Sequence, residues 1–330
     1  MKKKLLLISL FLILLASIFV SVSIGSVNIP VPEIFGFFTS KSEVYKKIIF
    51  EIRLPRVLNA VLVGASLACS GLILQSLLKN NLAEPGLLGI SSGAGLGAIL
   101  IFLFSSSIPF YLITPVSFVF AMSATLIVFI IAKGLNYKYT NFIHSNKIIL
   151  AGIAINALLS SINGFLLIIG GKNVTQILFW LSGGLAGRGW DEFYMTFIFV
   201  IIGLAAAVLM AKELNILSLG EELAVSLGLN LKLVQRLSIV IASLLAASAV
   251  AVAGIVSFVG LIVPNIAKML VGHDYRYAIP CSIILGALLM VFADTISRMI
   301  ILPSELPAGI VISFIGAPVF IWLIIRNKQE

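Results

Sequence analysis

Long apolar segments alternate with short polar ones along this chain. No charged residue occurs between Glu84 and Lys133, between Arg236 and Lys268, or between Glu305 and Arg326. A helix that crosses a bilayer needs roughly 20 apolar residues, so these stretches predict membrane spans, some of them more than one. The pattern predicts ten spans, at about 5–24, 57–78, 87–105, 112–132, 148–170, 193–211, 237–255, 258–272, 277–297 and 307–325.

The composition places the chain in the same class. Hydrophobic residues make up 60% and charged residues 11% of the 330 positions, and the mean hydropathy is +1.17. A soluble domain has about 25% charged residues. We therefore expect an all-α polytopic membrane protein that forms one permease domain. The run 5–24 is long for a signal peptide and lacks an Ala-x-Ala cleavage site, so we interpret it as a retained first span.

Basic residues in the loops predict the orientation. If Lys2, Lys3 and Lys4 are cytoplasmic, more Lys and Arg fall in inner loops than in outer ones, and both termini are cytoplasmic. Spans 2–5 and 7–10 then begin on opposite sides of the membrane, which predicts an inverted repeat. The outer loop 25–56 is an exception. It contains five basic residues: Lys41, Lys46, Lys47, Arg53 and Arg56.

Several chemistries have no motif in this sequence. The chain has no GxxxxGK[ST] phosphate loop and no HExxH motif, and Cys69 and Cys281 lie separately within apolar runs. We predict no metal, cofactor or enzymatic activity. The net charge is +9, and the basic residues lie between the apolar runs. This position favours contact with lipid headgroups over contact with nucleic acid. Ionisable residues within spans are few, so we expect energy to enter from another subunit.

The segment 213–229 is predicted to lie on the cytoplasmic surface. Ser218 or Gly220 caps a short helix with acidic residues in its first turn, Gly228 ends it, and a second short helix follows from Asn230. Such a segment would dock a soluble partner or rest on headgroups as an amphipathic connector. The candidate docking residues are Leu219, Gly220, Glu221, Glu222, Leu223, Leu227 and Gly228.

Small residues are concentrated in the third span. Gly93 and Gly97 stand four apart, with alanines beside them. They favour close helix packing, and the alternative is that they line a pathway for a bulky solute.

A set of motifs in fixed order resembles the FecCD family, the permease subunits of ABC importers for iron-siderophores, haem and cobalamin. The similarity extends over nearly the full length. It is carried by 53–56, 64–75, 80–89, 150–152, 180–184, 219–222, 254–264, 293–295, 305–309 and 316–320. The sequence departs from the usual family pattern at Asn81, where the family has Pro, at Asn265, where it has His, and at Lys268, where Arg is frequent.

The resemblance implies an importer of metal chelates in a bacterial cytoplasmic membrane. Its partners would be a second permease copy, identical or paralogous, two ATPase subunits that dock on 213–229, and an extracellular or periplasmic solute-binding protein. Family frequency favours an iron-siderophore as cargo, with haem and cobalamin as alternatives. A stand-alone secondary carrier is the less favoured class.

Two further sites follow from this assembly. Asn80 and Leu82, in the inner loop between spans 2 and 3, are predicted to form part of a cytoplasmic gate between two copies, and the alternative is an ordinary turn. Arg53, Arg56 and Arg298 are predicted to dock the binding protein, and the loop lysines would add steering. In the family, arginines at matching places face acidic residues of the binding protein, which supports Arg53 and Arg298 most directly. The alternatives are that Arg56 anchors the chain at the headgroups and that Arg298 pairs with Asp294.

Overall fold

The computed structural model of the chain describes residues 2–25, 43–104, 108–134, 145–301 and 304–327, and the regular secondary structure of these residues is helical. The α-helices are α1 (Lys2–Ser23), α2 (Glu43–Lys47), α3 (Leu54–Leu77), α4 (Ile90–Leu103), α5 (Ile113–Lys133), α6 (Ser145–Ile169), α7 (Val174–Leu181), α8 (Trp190–Leu209), α9 (Ala211–Ser218), α10 (Glu221–Ser226), α11 (Leu231–Ala253), α12 (Val259–Val271), α13 (Tyr275–Ser297) and α14 (Ala308–Asn327). A π-helical turn, Ile48–Arg53, joins α2 to α3.

The described helices confirm a multi-pass membrane protein. Seven helical stretches are long and apolar enough to cross a bilayer: Lys2–Ser23, Glu43–Leu77, Phe110–Lys133, Asn146–Ile169, Trp190–Leu209, Leu231–Ala253 and Tyr275–Ser297. Three shorter apolar helices, Ile90–Leu103, Val259–Val271 and Ala308–Leu323, occupy the places of predicted spans 3, 8 and 10. The count of ten spans, the position of the termini and the inverted repeat stay predictions.

Helix α3 is the centre of the packing. It contacts α13, α11 and α12, and nearly all of its residues are buried. A Cβ atom on Gly64 would overlap the carbonyl group of Gly286 in α13, and one on Gly71 would overlap that of Gly260 in α12. Because lipid provides no hydrophobic drive for helix association, close backbone contacts at such positions stabilise the bundle.

Gly93 and Gly97 lie where α4 packs against α5. A Cβ atom on Gly93 would lie 2.7 Å from the Cβ of Ala124, and one on Gly97 would lie 3.0 Å from the Cα of Ser117. The structure thus places both glycines in a helix contact, as the packing alternative expects.

Candidate functional site

The loop after α3, residues 79–84 (the inner loop), folds into a tight turn. Asn80 accepts a hydrogen bond from the N–H of Leu82 through its side-chain Oδ1, at 2.9 Å, and its own N–H donates to the carbonyl of Gln75, at 3.2 Å. The turn that was one alternative for this loop is therefore present. Leu82 points away from the turn and is 51% exposed, which leaves its side chain free for contact with a second copy. The gate stays a prediction.

The three residues that depart from the family pattern lie together. Asn265 of α12 donates through Nδ2 to the carbonyl of Asn81 at 3.0 Å and to the carbonyl of Leu261 at 2.7 Å. Lys268 of α12 donates through Nζ to Oε1 of Gln75 at 2.9 Å, and lies 3.4 Å from Oδ1 of Asn81. Asn265 and Lys268 are close in sequence, but Asn81 lies 184 positions before Asn265, and the fold joins all three into one contact between α12 and the inner loop.

Glu84 fixes the far end of the inner loop. Burial raises the pKa of its carboxyl group, and a hydrogen bond from the backbone N–H of Phe258 acts in the opposite direction. Phe258 precedes α12, so the inner loop contacts this helix at its start as well as near its end.

The segment 213–229 forms the short helix that the sequence predicts. Gly220, with φ +119°, precedes α10, and Gly228, with φ +83°, follows it. The N–H of Gly228 donates to the carbonyl of Val225 at 2.9 Å, and that of Leu229 donates to the carbonyl of Ala224 at 3.0 Å. This is a Schellman C-cap, which favours glycine at the position of positive φ.

The prediction of a second short helix from Asn230 is wrong. Asn230 is the N-cap of α11, and its side chain accepts a hydrogen bond from the N–H of Leu233 at 3.2 Å. The helix then continues without a break to Ala253 because no glycine or proline interrupts the run.

Three leucines of this segment are exposed although they are apolar. The exposed fractions are 58% for Leu219, 57% for Leu223 and 61% for Leu227, whereas Ala224 and Leu217 are buried. Two polar contacts fix the segment to the helical bundle. Glu221 lies 3.9 Å from Nζ of Lys79 in the inner loop, and Asn215 donates to Asp274 at the start of α13 at 2.9 Å. Exposed apolar side chains of this kind are typical of a surface that contacts another protein or the membrane.

Asp274 serves as the N-cap of α13. Hydrogen bonds from the side chain of Asn215 and from the N–H of Arg276 lower the pKa of its carboxyl group. Asn215 also accepts from the N–H of Tyr275 at 3.0 Å, so α9 is bound to the first turn of α13 through both ends of one amide.

Arg56 is the centre of a buried ionic cluster at the other end of the bundle. It donates through Nε and Nη2 to Asp294, at 3.0 and 2.9 Å from Oδ1, and through Nη1 to Glu305 at 2.8 Å. The predicted pair between Asp294 and Arg298 is also present, at 3.3 Å. Sequence reasoning missed both partners of Arg56, which lie more than 200 positions away along the chain.

The other two arginines bind the end of α1. Arg53 donates through Nη1 to the carbonyls of Val22 and Ser23 at 3.0 and 2.8 Å, and Arg298 donates through Nη2 to Oγ of Ser21 at 2.7 Å. Carbonyl groups at a helix C-terminus lack partners within the helix, and these guanidinium groups supply them. Arg53, Arg56 and Arg298 are all buried in the single chain. Docking of a binding protein by them stays a prediction. Lys41 lies outside the described residues.

A cavity lined by serine and apolar side chains lies where three helix ends meet. The N–H of Gly184, after α7, donates to the carbonyl of Ala253 at the end of α11 at 2.7 Å. The N–H of Gly309, in the first turn of α14, donates to the carbonyl of Gly183 at 2.9 Å. The cavity at this junction measures about 440 Å³, and its lining includes Ser182, Ser257 and Ser313. Non-helical backbone at membrane depth is expected where it is buried in protein or lines a cavity.

The fold and these sites define a multi-pass helical membrane protein. The chain belongs to the FecCD transport family, whose model matches residues 13–326. The predicted resemblance is therefore confirmed.

The relatives that resemble this chain, and one solved structure, are consistent with this family. The chain is 37% identical to the uncharacterized ABC transporter permease protein YvrB of Bacillus subtilis (strain 168), over 97% of this chain and 93% of that protein. It is 36% identical to the hemin transport system permease protein HmuU of Yersinia pestis, over 88% and 87%. An inward-facing ABC transporter described as of the metal-chelate type superposes with a TM-score of 0.86 at 30% identity, covering 97% of this chain and 99% of that one.

Proposed function

We propose that this chain is the translocation subunit of an ABC importer and carries a metal chelate, with an iron-siderophore as the leading candidate. ATP is hydrolysed on a separate subunit. The observation that carries the proposal is the exposed apolar surface of 213–229, fixed to the bundle through Lys79 and Asn215. Haem is the second candidate because HmuU is a hemin transport permease, and cobalamin is a third.

The proposal implies an orientation of the chain in the membrane. Ten spans with cytoplasmic termini in a bacterial cytoplasmic membrane would place 213–229 and the inner loop at the cytoplasmic face. The arginine cluster would then lie at the outer face, near the binding protein. Two permease copies would bring their Leu82 side chains towards one axis, and the cavity beside Ser182 and Ser257 would border the route between them.

The contact between Lys79 and Glu221 suggests how the ATPase would act on the gate. It joins the inner loop to the helix that would carry the ATPase, at a distance of 3.9 Å. Both side chains are partly exposed, so the ion pair itself contributes little to stability. The contact would instead transmit movement, because a displacement of α10 would act directly on the inner loop.

Uptake in cells tests the proposal and separates the cargo candidates. We would measure accumulation of labelled ferric siderophores, ferric citrate, haem and cobalamin, with the cognate ATPase intact or with its phosphate-loop lysine replaced. The proposal expects uptake of one chelate class that is lost with the ATPase variant. Uptake that persists without ATP hydrolysis would identify a secondary carrier instead.

A further inference from the structure

A second cavity lies at the inner end of the bundle, beside the inner loop. It measures about 380 Å³ and is enclosed by the ends of α3 and α12, the end of α9 and the start of α13. Its lining residues are polar or basic: Gln75, Ser76, Lys79, Asn81, Ser218, Lys268, His273 and Tyr275.

Lys268 contributes a buried positive charge to this cavity. Only 9% of the residue is exposed, and its Nζ contacts the neutral amide oxygens of Gln75 and Asn81. Within the described part of the chain, no carboxylate lies within ion-pair distance of it. A buried ammonium group without a counter-charge is costly, and its third N–H is left for another acceptor.

The other lining groups are suited to the same task. Lys79 is 41% exposed at its side chain and adds a second ammonium group, and His273 adds an exposed imidazole. The hydroxyl group of Ser76 can donate a hydrogen bond as well, whereas that of Ser218 already donates to the carbonyl of Asn215 at 2.7 Å.

The nearest carboxylates of the described residues are engaged elsewhere. Glu221 lies 3.9 Å from Nζ of Lys79 and does not line the cavity. Asp274 accepts hydrogen bonds from Asn215 and from the N–H of Arg276 and does not line the cavity either. The cavity therefore combines two ammonium groups with the hydroxyl group of Ser76, and its described lining residues include no acidic side chain.

We propose that this cavity is a binding site for a phosphate group, held by Lys268 and Lys79. Phosphate oxygens accept several charge-assisted hydrogen bonds at once, which matches a cavity that presents two ammonium groups. The phosphate would belong to a free anion or to the headgroup of an anionic lipid, since basic pockets between helices at the cytoplasmic face bind such headgroups. Bound there, it would link the inner loop to α9, α12 and α13.

The test uses the full-length chain, purified in a phosphate-free neutral detergent and stripped of lipid. Its thermal unfolding would be followed while inorganic phosphate is titrated against chloride at constant ionic strength. In parallel, the chain would be transferred to nanodiscs of phosphatidylglycerol or of phosphatidylcholine, and retained lipid counted by native mass spectrometry. We expect saturable stabilisation, because a ligand that binds the folded state raises the unfolding temperature.

Variants at the two lysines give the comparison. Lys268→Gln should weaken binding at least about tenfold, because one charge-assisted hydrogen bond is lost. Lys268→Arg should retain binding. Lys79→Gln, at a half-exposed position that tolerates change, should also weaken it, and covers the case in which the Lys268 variant does not fold. Lys212→Gln, at an exposed lysine of α9 outside the cavity, should have no effect.

Each outcome decides the matter. A response to inorganic phosphate that both lysine variants weaken identifies a free-anion site. Retention of phosphatidylglycerol alone, again weakened by both variants, identifies a lipid-headgroup site. A response that chloride reproduces, that Lys212→Gln weakens equally, or that is absent in both arms overturns the proposal. None of these outcomes depends on uptake of a chelate, so the site and the transport function are tested separately.

Discussion

Arg56 illustrates what a single residue does in a bundle that has few charges. Its guanidinium group neutralises Asp294, which is fully buried, and reaches Glu305 beyond the end of α13. Planar bidentate geometry of this kind is specific to arginine. The cluster joins the start of α3 to the end of α13, so its main role in the single chain is to fix these ends.

Replacement of Arg56 is therefore expected to destabilise the fold. Arg56→Gln leaves Asp294 buried with Arg298 as its remaining cation, and loss of one partner of a buried pair costs roughly 3–5 kcal/mol. Arg53→Gln is the control, because Arg53 contacts backbone carbonyls, and its loss should cost about 1–3 kcal/mol. Thermal unfolding of the purified variants measures both. Equal losses would contradict the central role of Arg56.

The burial of Arg53 and Arg298 allows a structural role to be distinguished from docking of the binding protein. Arg298→Glu places a carboxylate beside Asp294, so in a purely structural role it should lower the amount of permease in the membrane. Docking predicts instead that Arg53→Glu with Arg298→Glu abolishes uptake while permease abundance stays normal. Immunoblots of membranes alongside uptake assays distinguish the two, and acid-to-base changes on the binding protein should restore uptake only in the second case.

At the scale of the elements, glycines determine how closely the helices approach. Gly64→Ala would force a methyl group into the carbonyl of Gly286, and overpacking of this kind costs about 1–3 kcal/mol. Gly164→Ala in α6 is the matched control, because a Cβ atom there has no neighbour within 4 Å. Thermal unfolding should show a loss for the first variant and none for the second. A Gly64→Ala variant with an unchanged unfolding temperature would contradict the close contact between α3 and α13.

The inner loop is the element that should move during transport. A cysteine at position 82 should cross-link between two copies, and nucleotide bound to the ATPase should change the yield, because Leu82 is exposed at the turn. Lys212→Cys, at an exposed position of α9 on the same face, is the control and should not respond. If the cross-linking yield did not change when nucleotide was added, the loop would be a turn without a gating role.

Hydropathy predicts the helices better than it predicts where they break. It places a span at 87–105, whereas α4 begins at Ile90, because Pro85–Leu88 forms a 3-10 turn that ends at Gly89 with φ +79°. It ends the seventh span at 255 and starts it at 237, whereas α11 extends from Leu231 to Ala253. Hydropathy averages over a window and does not register a single residue with positive φ or a polar first turn.

The sequence pattern could not predict contacts between segments that are distant along the chain. The pair of Asp294 with Arg298 is local, four residues apart in one helix, and could be predicted. The stronger partner, Arg56, could not, since nothing in the spacing places α3 against α13. The cluster of Asn81, Asn265 and Lys268 has the same origin. The motifs identify the family, and tertiary packing decides which of their residues meet.

At the scale of the whole molecule, the proposed function depends on the coupling of this chain to an ATPase through 213–229. The exposed leucines, the ties of this segment to the inner loop and to α13, and the membership of the FecCD transport family support that coupling together.

Co-purification of the ATPase with a Leu223→Asp variant tests this claim most directly. A leucine buried at an interface contributes roughly 1.5–3 kcal/mol, so a charge at position 223 should weaken ATPase binding at least about tenfold and abolish ATP-dependent uptake. Permease abundance should be unchanged, because Leu223 is 57% exposed in the single chain. Val44→Asp, at an exposed apolar residue of α2, is the control and should retain the ATPase. Normal ATPase recovery and normal uptake with Leu223→Asp would contradict the account.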